Sequence, residues 1–162
     1  MTFHMRRKDK EITDEGLLKK ILKTSKYITI ALSMDNQPYL VSLSHGYDEH
    51  RNCFYFHCAR EGKKLQYMKS NNVIWGQALL DHGYSEGDEC THLYASVHFS
   101  GRVTLIENLE EKQQAMKCMM NQLAKNPEAL MAKLTPDRLK NAGIGRIDIE
   151  YMTGKKSKEA TI

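Results

Sequence analysis

The sequence predicts a mainly β fold with helices: a six-stranded antiparallel barrel, closed or partly closed, which buries its strands without leaving open edges. Three observations carry that prediction. Apolar and polar residues alternate with a period of two in separate runs along the chain, most clearly from His92 to Ile106. Short turns rich in Asp, Asn and Gly join the early runs, as an antiparallel meander requires. Helical spacing is confined to the start of the chain and to segments after the third and fifth strands.

Thr13 can cap a first helix whose opening turn holds Asp14 and Glu15, and Ile12, Leu17, Leu18, Ile21 and Leu22 share one side of it. From Tyr27 to Ser33, Ile28, Ile30 and Leu32 point one way and Tyr27, Thr29, Ala31 and Ser33 the other. Asp35-Asn36 turns the chain into a second strand, Pro38 to His45, where Tyr39, Val41 and Leu43 oppose Leu40, Ser42 and Ser44. Gly46 and residues 48–52 read as the next turn, leading to an aromatic third strand, Cys53 to Cys58. A helix over 63–70 follows, then a fourth strand from Val73 to Leu80 and a polar loop from Asp81 to Glu89.

The fifth strand, His92 to Ile106, is longer than strands usually are, which predicts a bend or bulge near Gly101. Asn108 and Glu111 form a capping box for a helix that sets Met116, Met119, Met120 and Leu123 on one stripe, read here as packing against the sheet. Pro127 and Pro136 each open a short helix. Gly143 to Met152 is the sixth strand, with Ile147, Ile149 and Tyr151 alternating with Arg146, Asp148 and Glu150.

The chain has 162 residues, 41% of them hydrophobic, which suits one domain over 1–162 with basic ends at about 1–10 and 155–162. It holds no apolar run of membrane-spanning length and no secretory pattern at its start, so a cytoplasmic location is expected, with no membrane partner. Cysteines 53, 58, 90 and 118 show no paired short spacing and are expected as reduced thiols. A net charge of +4, with its lysines spread along the chain, does not point to nucleic acid. His50, Cys53, His57 and Cys58 are possible soft ligands, but on a strand Cys58 faces away from Cys53 and His57, so no metal site is expected. Neither a nucleophile in a recognisable setting nor a pair of carboxylates marks a hydrolase.

One stretch invites chemistry. Where the third strand ends, Arg60, Glu61 and Gly62 form a loop and Lys63 and Lys64 stand at a helix start, with unpaired N–H groups and the positive dipole end behind them. An anion fits there; solvated surface lysines are the alternative. His57, at the end of the strand beside that loop, can donate to a ligand or transfer a proton, or serve as a satisfied structural histidine.

Arg6-Arg7-Lys8-Asp9-Lys10-Glu11, Pro38-Tyr39, Phe54-Tyr-Phe-His-Cys-Ala59, Gly62-Lys-Lys64, Ser96-Val97, Gly101-Arg102 and Met152-Thr-Gly-Lys155, taken in that order, resemble the FMN-binding split-barrel flavoproteins related to pyridoxamine 5'-phosphate oxidase. The resemblance is nearest to the branch that includes the nitroimidazole-resistance proteins, and it runs from about Met5 to Lys155. It implies a six-stranded split barrel working as a homodimer, with FMN at the subunit interface and a small-molecule substrate. By the same resemblance Gly62, Lys63 and Lys64 hold the phosphate, Leu40, Val41, Ser42 and Leu43 follow the isoalloxazine edge, and His57 and Cys58 end the neighbouring strand. Ser96 and Val97 approach from the second subunit, and His57 matches a strand-end histidine near the flavin in the nitroimidazole-resistance branch.

The family's oxidases often use an arginine on the second strand and a serine in the phosphate loop. Here Tyr39 to Ser44 contains no arginine and Gly62 stands in the serine's place, which speaks against pyridoxamine phosphate oxidation itself. The expected function is a flavin-dependent oxidoreductase reducing nitro or related electron-poor compounds. A deazaflavin in place of FMN, a haem-binding protein with His57 or another histidine as axial ligand, and a non-catalytic flavin-binding module remain the alternatives.

Overall fold

The computed structural model describes residues 5–86 and 90–162. After a short 3-10 turn at Lys8–Lys10 come β1 (Glu11–Ile12), α1 (Glu15–Thr24), β2 (Tyr27–Met34), β3 (Gln37–Asp48), β4 (Cys53–Cys58) and α2 (Lys63–Ser70). Then follow β5 (Val73–Ser85), β6 (Thr91–Leu105), α3 (Leu109–Leu123), α4 (Pro127–Met131), α5 (Pro136–Asn141) and β7 (Gly143–Lys156). All described strand pairings are antiparallel. The order is β1-β7-β4-β3-β2-β5-β6, and pairing of β6 with β7 closes β2 to β7 into a ring.

The six expected strands are therefore present, and the seventh is β1. The sequence reading placed Ile12 on the face of the first helix. Instead Glu11 and Ile12 pair with Lys155 and Gly154, covering an edge of β7 beyond its ladder with β4, which ends at Asp148. The helix starts later and is capped by Asp14, not Thr13: the Asp14 carboxylate accepts a hydrogen bond from the Leu17 N–H at 3.1 Å.

Three strands run beyond their expected ends. β5 continues to Ser85 because Asp81 accepts from the Gly83 N–H and pairs with His92, both at 2.8 Å, holding a register shift between Asp81 and Tyr84. Residues 87–89 of the expected polar loop, like residues 1–4 of the basic start, lie outside the described residues. β7 includes Lys155 and Lys156, and the N–H of the buried Ser157 donates to the Tyr94 carbonyl, so this part of the basic end is built into the fold. β3 runs through Gly46, which was read as a turn. A Cβ at Gly46 would lie 2.6 Å from the Met119 nitrogen and 2.7 Å from the Cys118 carbonyl carbon, so its hydrogen is what lets α3 lie against the strand.

The other local readings hold in detail. Asp35 and Asn36 both have positive φ, 50° and 60°, and join β2 to β3 as a two-residue hairpin turn. A register shift falls between Ser100 and Gly101 of β6. Asn108 caps α3 through the Glu111 N–H at 2.9 Å, although the Glu111 carboxylate turns to Arg51 and Arg146 rather than back to the cap. None of the described helices is long and apolar enough to cross a membrane.

The aromatic run of β4 is buried on both faces. Phe54 and Phe56 point into the ring with Ile28, Ile30, Val97 and Phe99, while Cys53 and Tyr55 pack outside it beneath Ala115 and Met119 of α3. Because α3 covers the outer side of β4, residues of both faces are apolar, and the period-two alternation vanishes there.

Candidate functional site

The site begins where β3 and β4 part. Their ladder runs from Asp48 opposite Cys53 to His45 opposite Phe56 and stops. Past that point β3 pairs, among the described residues, with β2 alone, and β4 continues against β7 as far as Cys58 opposite Gly143. Ser44 and His57, the next residue on each strand, therefore stand at the mouth of a fork. Gly62 then reaches φ 122°, open to glycine at no steric cost, and starts α2 with its carbonyl accepting from the Leu65 and Gln66 N–H groups.

Ser42, Leu43 and Ser44 of β3, His57 of β4 and Lys64 of α2 form one wall of a cleft of about 620 Å³. The opposite wall is Met116, Met119, Met120 and Leu123 of α3, with Ala124 and Leu130 closing the end. The arrangement offers a cation and a helix start to an anionic group, hydroxyls and an open strand to a polar edge, and soft apolar side chains to a ring.

Of the residues singled out from sequence, Ser42, Leu43, His57 and Lys64 line this cleft together. Leu40 is 67% exposed on the outside of β3, and Val41 turns the other way and packs on the core. Cys58 opens instead onto a smaller cavity of about 220 Å³ shared with Arg60, Lys69 and the buried Lys112, and its burial pushes the thiol pKa up. Gly62 stands exposed at the head of α2. Lys63 leaves its neighbour's direction altogether: its ammonium sits 4.5 Å from the Tyr39 ring centre and 5.6 Å from that of Tyr67. Ser96 and Val97 are buried within this chain, with the Ser96 hydroxyl donating to the Lys155 carbonyl at 3.4 Å.

Behind the cleft lies a joint that the sequence reading missed. Gln122 of α3 accepts from the Tyr47 N–H at 2.8 Å and donates to the carbonyls of Leu22 and Ser25 at 3.1 and 2.9 Å, tying α3 to β3 and to the end of α1. His45, fully buried at the fork, reaches the same Leu22 carbonyl through Nε2 at 3.1 Å, while its Nδ1 has no hydrogen-bond partner among the described residues. Burial holds the His45 imidazole neutral, its pKa lowered to about 4, with Lys26 adding to the effect. The methionine wall was visible as a helical stripe but was read as packing alone. Met119 does pack and Met116 touches the same buried cluster, while Met116 and Met120 are only half-buried where they face the cleft.

A ring of six antiparallel strands with a cleft where two of them part defines the split-barrel class. Residues 14–156 match the model of the pyridoxamine 5'-phosphate oxidase family, and the chain belongs to that family. None of the curated proteins matches it. Among solved structures it is similar to a candidate 5-nitroimidazole antibiotic resistance protein from Bacteroides thetaiotaomicron, at 22% identity and TM-score 0.77 over 90% of this chain and 85% of that one. The flavocytochrome Anf3 of Azotobacter vinelandii matches at 16% identity and TM-score 0.80 over 99% and 75% of the two chains. An FAD- and heme-binding protein of Mycobacterium smegmatis matches at 17% and 0.77 over 94% and 76%. At these identities the likeness establishes the shared fold.

Proposed function

We propose that the protein is an FMN-binding oxidoreductase that works as a homodimer and reduces small electron-poor compounds, nitro compounds among them. The observation that carries this reading is the convergence of Ser42, Leu43, His57 and Lys64, from three separate elements, on one cleft. The residues present fit the cofactor: Lys64 and the start of α2 suit its phosphate, the serine hydroxyls and open β3 strand its polar ring edge, and Leu43 an apolar face of the ring. Bound there, the flavin would supply the electron transfer. The chain's own part is to bind and orient it with these groups, and to offer at His57 an imidazole that can hydrogen-bond to a bound ligand or exchange a proton with it. The names of the similar structures, one a candidate nitroimidazole-resistance protein and another a flavocytochrome, agree with a redox role.

The first test is the visible spectrum of the purified protein, alone and after incubation with FMN or FAD and removal of the excess. Retained flavin bands that bleach under a reduced nicotinamide donor are the expected result. Protein that retains no flavin under either condition overturns the proposal. A second reading, haem bound through His57, rests on that imidazole's exposure in the cleft and on the heme-binding neighbour. A Soret band that disappears in His57→Ala would select it.

A further inference from the structure

We infer that Met116 and Met120 form the acceptor-binding wall of the cleft, and that its occupant beside the flavin is an uncharged, planar, apolar ring compound accepted with broad tolerance of shape. The inference rests on the flavin reading above and assigns the half of the cleft which that reading leaves over. The β3, β4 and α2 side carries every polar lining residue, two serines, a histidine and a lysine, and the α3–α4 side carries none. A second charged ligand would find no partner on the α side. A flat apolar one would find three thioethers and a leucine.

Two further features fix the roles. Met119 is 5% exposed, its backbone lies against Gly46 and it shares a buried cluster with Cys53 and Tyr55, so it sets the position of the helix and offers the cleft little surface of its own. Met116 and Met120, three and one residues from it, are only half-buried and leave part of their side chains open to the cleft, although Met116 also touches the cluster under α3. Unbranched, polarisable side chains of this kind adapt to differently shaped rings and contact aromatic faces and edges favourably. A wall meant for one rigid ligand would be built from branched or aromatic residues, which keep a fixed shape.

The test uses the FMN-loaded protein with menadione, a neutral planar quinone, in the absence of any electron donor. Methionine oxidation by dilute peroxide is followed residue by residue by mass spectrometry with and without menadione. Met116 and Met120 are expected to oxidise at least about threefold more slowly when menadione is present, whereas Met34 and Met152, half-buried elsewhere, keep their rates. In a second measurement, the Met116→Gln and Met120→Gln variants, which keep side-chain length, bind menadione about tenfold more weakly by flavin-fluorescence titration, and the Met→Leu counterparts recover most of that loss.

Two results overturn the inference while leaving the flavin reading intact. One is FMN retained with identical methionine oxidation rates in both samples. The other is full protection by FMN alone with no further change on adding menadione, which would make the wall a cover for the cofactor. Failure to retain FMN at all is a different outcome and overturns the flavin reading first, and this inference with it.

Discussion

The two walls of the cleft are built by opposite means. The β wall is local: Ser42 and Ser44 are set by strand alternation, His57 by the end of β4, and Lys64 by a glycine that starts a helix a few residues later. The α wall is remote in sequence, held over the fork by a close approach at Gly46 and by Gln122, whose partners on α1 and β3 lie 75 to 100 residues away. Local geometry therefore places the groups for a charged ligand, and long-range packing decides whether the cleft above them is closed by an apolar surface.

The joint between the walls is where the largest effect is expected. His45 is neutral in the folded protein with its pKa lowered to about 4, against about 6.5 in an unfolded chain. The unfolded state therefore binds more protons between those values. The neutral form's contribution to stability is fully present above pH 6.5 and is lost as pH falls from 6.5 towards 4, by on the order of 3 kcal/mol. Urea unfolding across that window should show the decline, and His45→Gln, which removes the titration, should flatten it. An equally steep decline in that variant would place the acid sensitivity elsewhere.

The next largest effect separates the walls by one methyl group placed on each. Gly46→Ala sets a Cβ against backbone atoms of Met119 and Cys118, which cannot rotate away, so α3 must shift at a cost of about 2–3 kcal/mol. Gly62→Ala meets open space and carries only the strain of an extended positive-φ backbone, φ 122° and ψ 173°, about 1–2 kcal/mol. Denaturation midpoints of the two variants measure the difference. Equal losses would mean that α3 yields freely and that the α wall is not held by this contact.

The same contrast explains what was legible in the sequence. Six strands, the Asp35-Asn36 hairpin, the bulge at Gly101 and the α2 start follow from local rules, because each depends on residues within a few positions of one another. β1 escaped because two residues carry no periodicity, and Ile12 fits a helical face as well as a strand edge. Gly46 was misread because a glycine in a turn and a glycine under a crossing helix look identical until the helix is placed. His45 and Gln122 gave no signal at all: an isolated histidine on a strand and a glutamine on a helix acquire meaning only when they meet, 3.0 Å apart, at the Leu22 carbonyl. The methionine stripe gave a true signal of burial, yet all three methionines also line the cleft, Met119 from a buried position and Met116 and Met120 half-buried, and periodicity cannot tell packing from lining.

The smallest expected effect tests the β wall against itself, through two adjacent lysines that the sequence treats alike. Lys64 lines the cleft and Lys63 lies on the Tyr39 ring. Lys64→Ala should weaken FMN binding about tenfold, the loss of one charge-assisted contact to phosphate, or about 1.4 kcal/mol. Lys63→Ala should change FMN affinity less than about threefold and cost about 0.5–1 kcal/mol of stability through the lost cation–π contact. Riboflavin, which lacks the phosphate, provides the control: its affinity should be insensitive to Lys64→Ala. If Lys63→Ala instead produces the larger loss of FMN, the ammonium leaves the Tyr39 ring to meet the phosphate. The anion would then sit at the outer face of α2, and the cleft would lose its charged end.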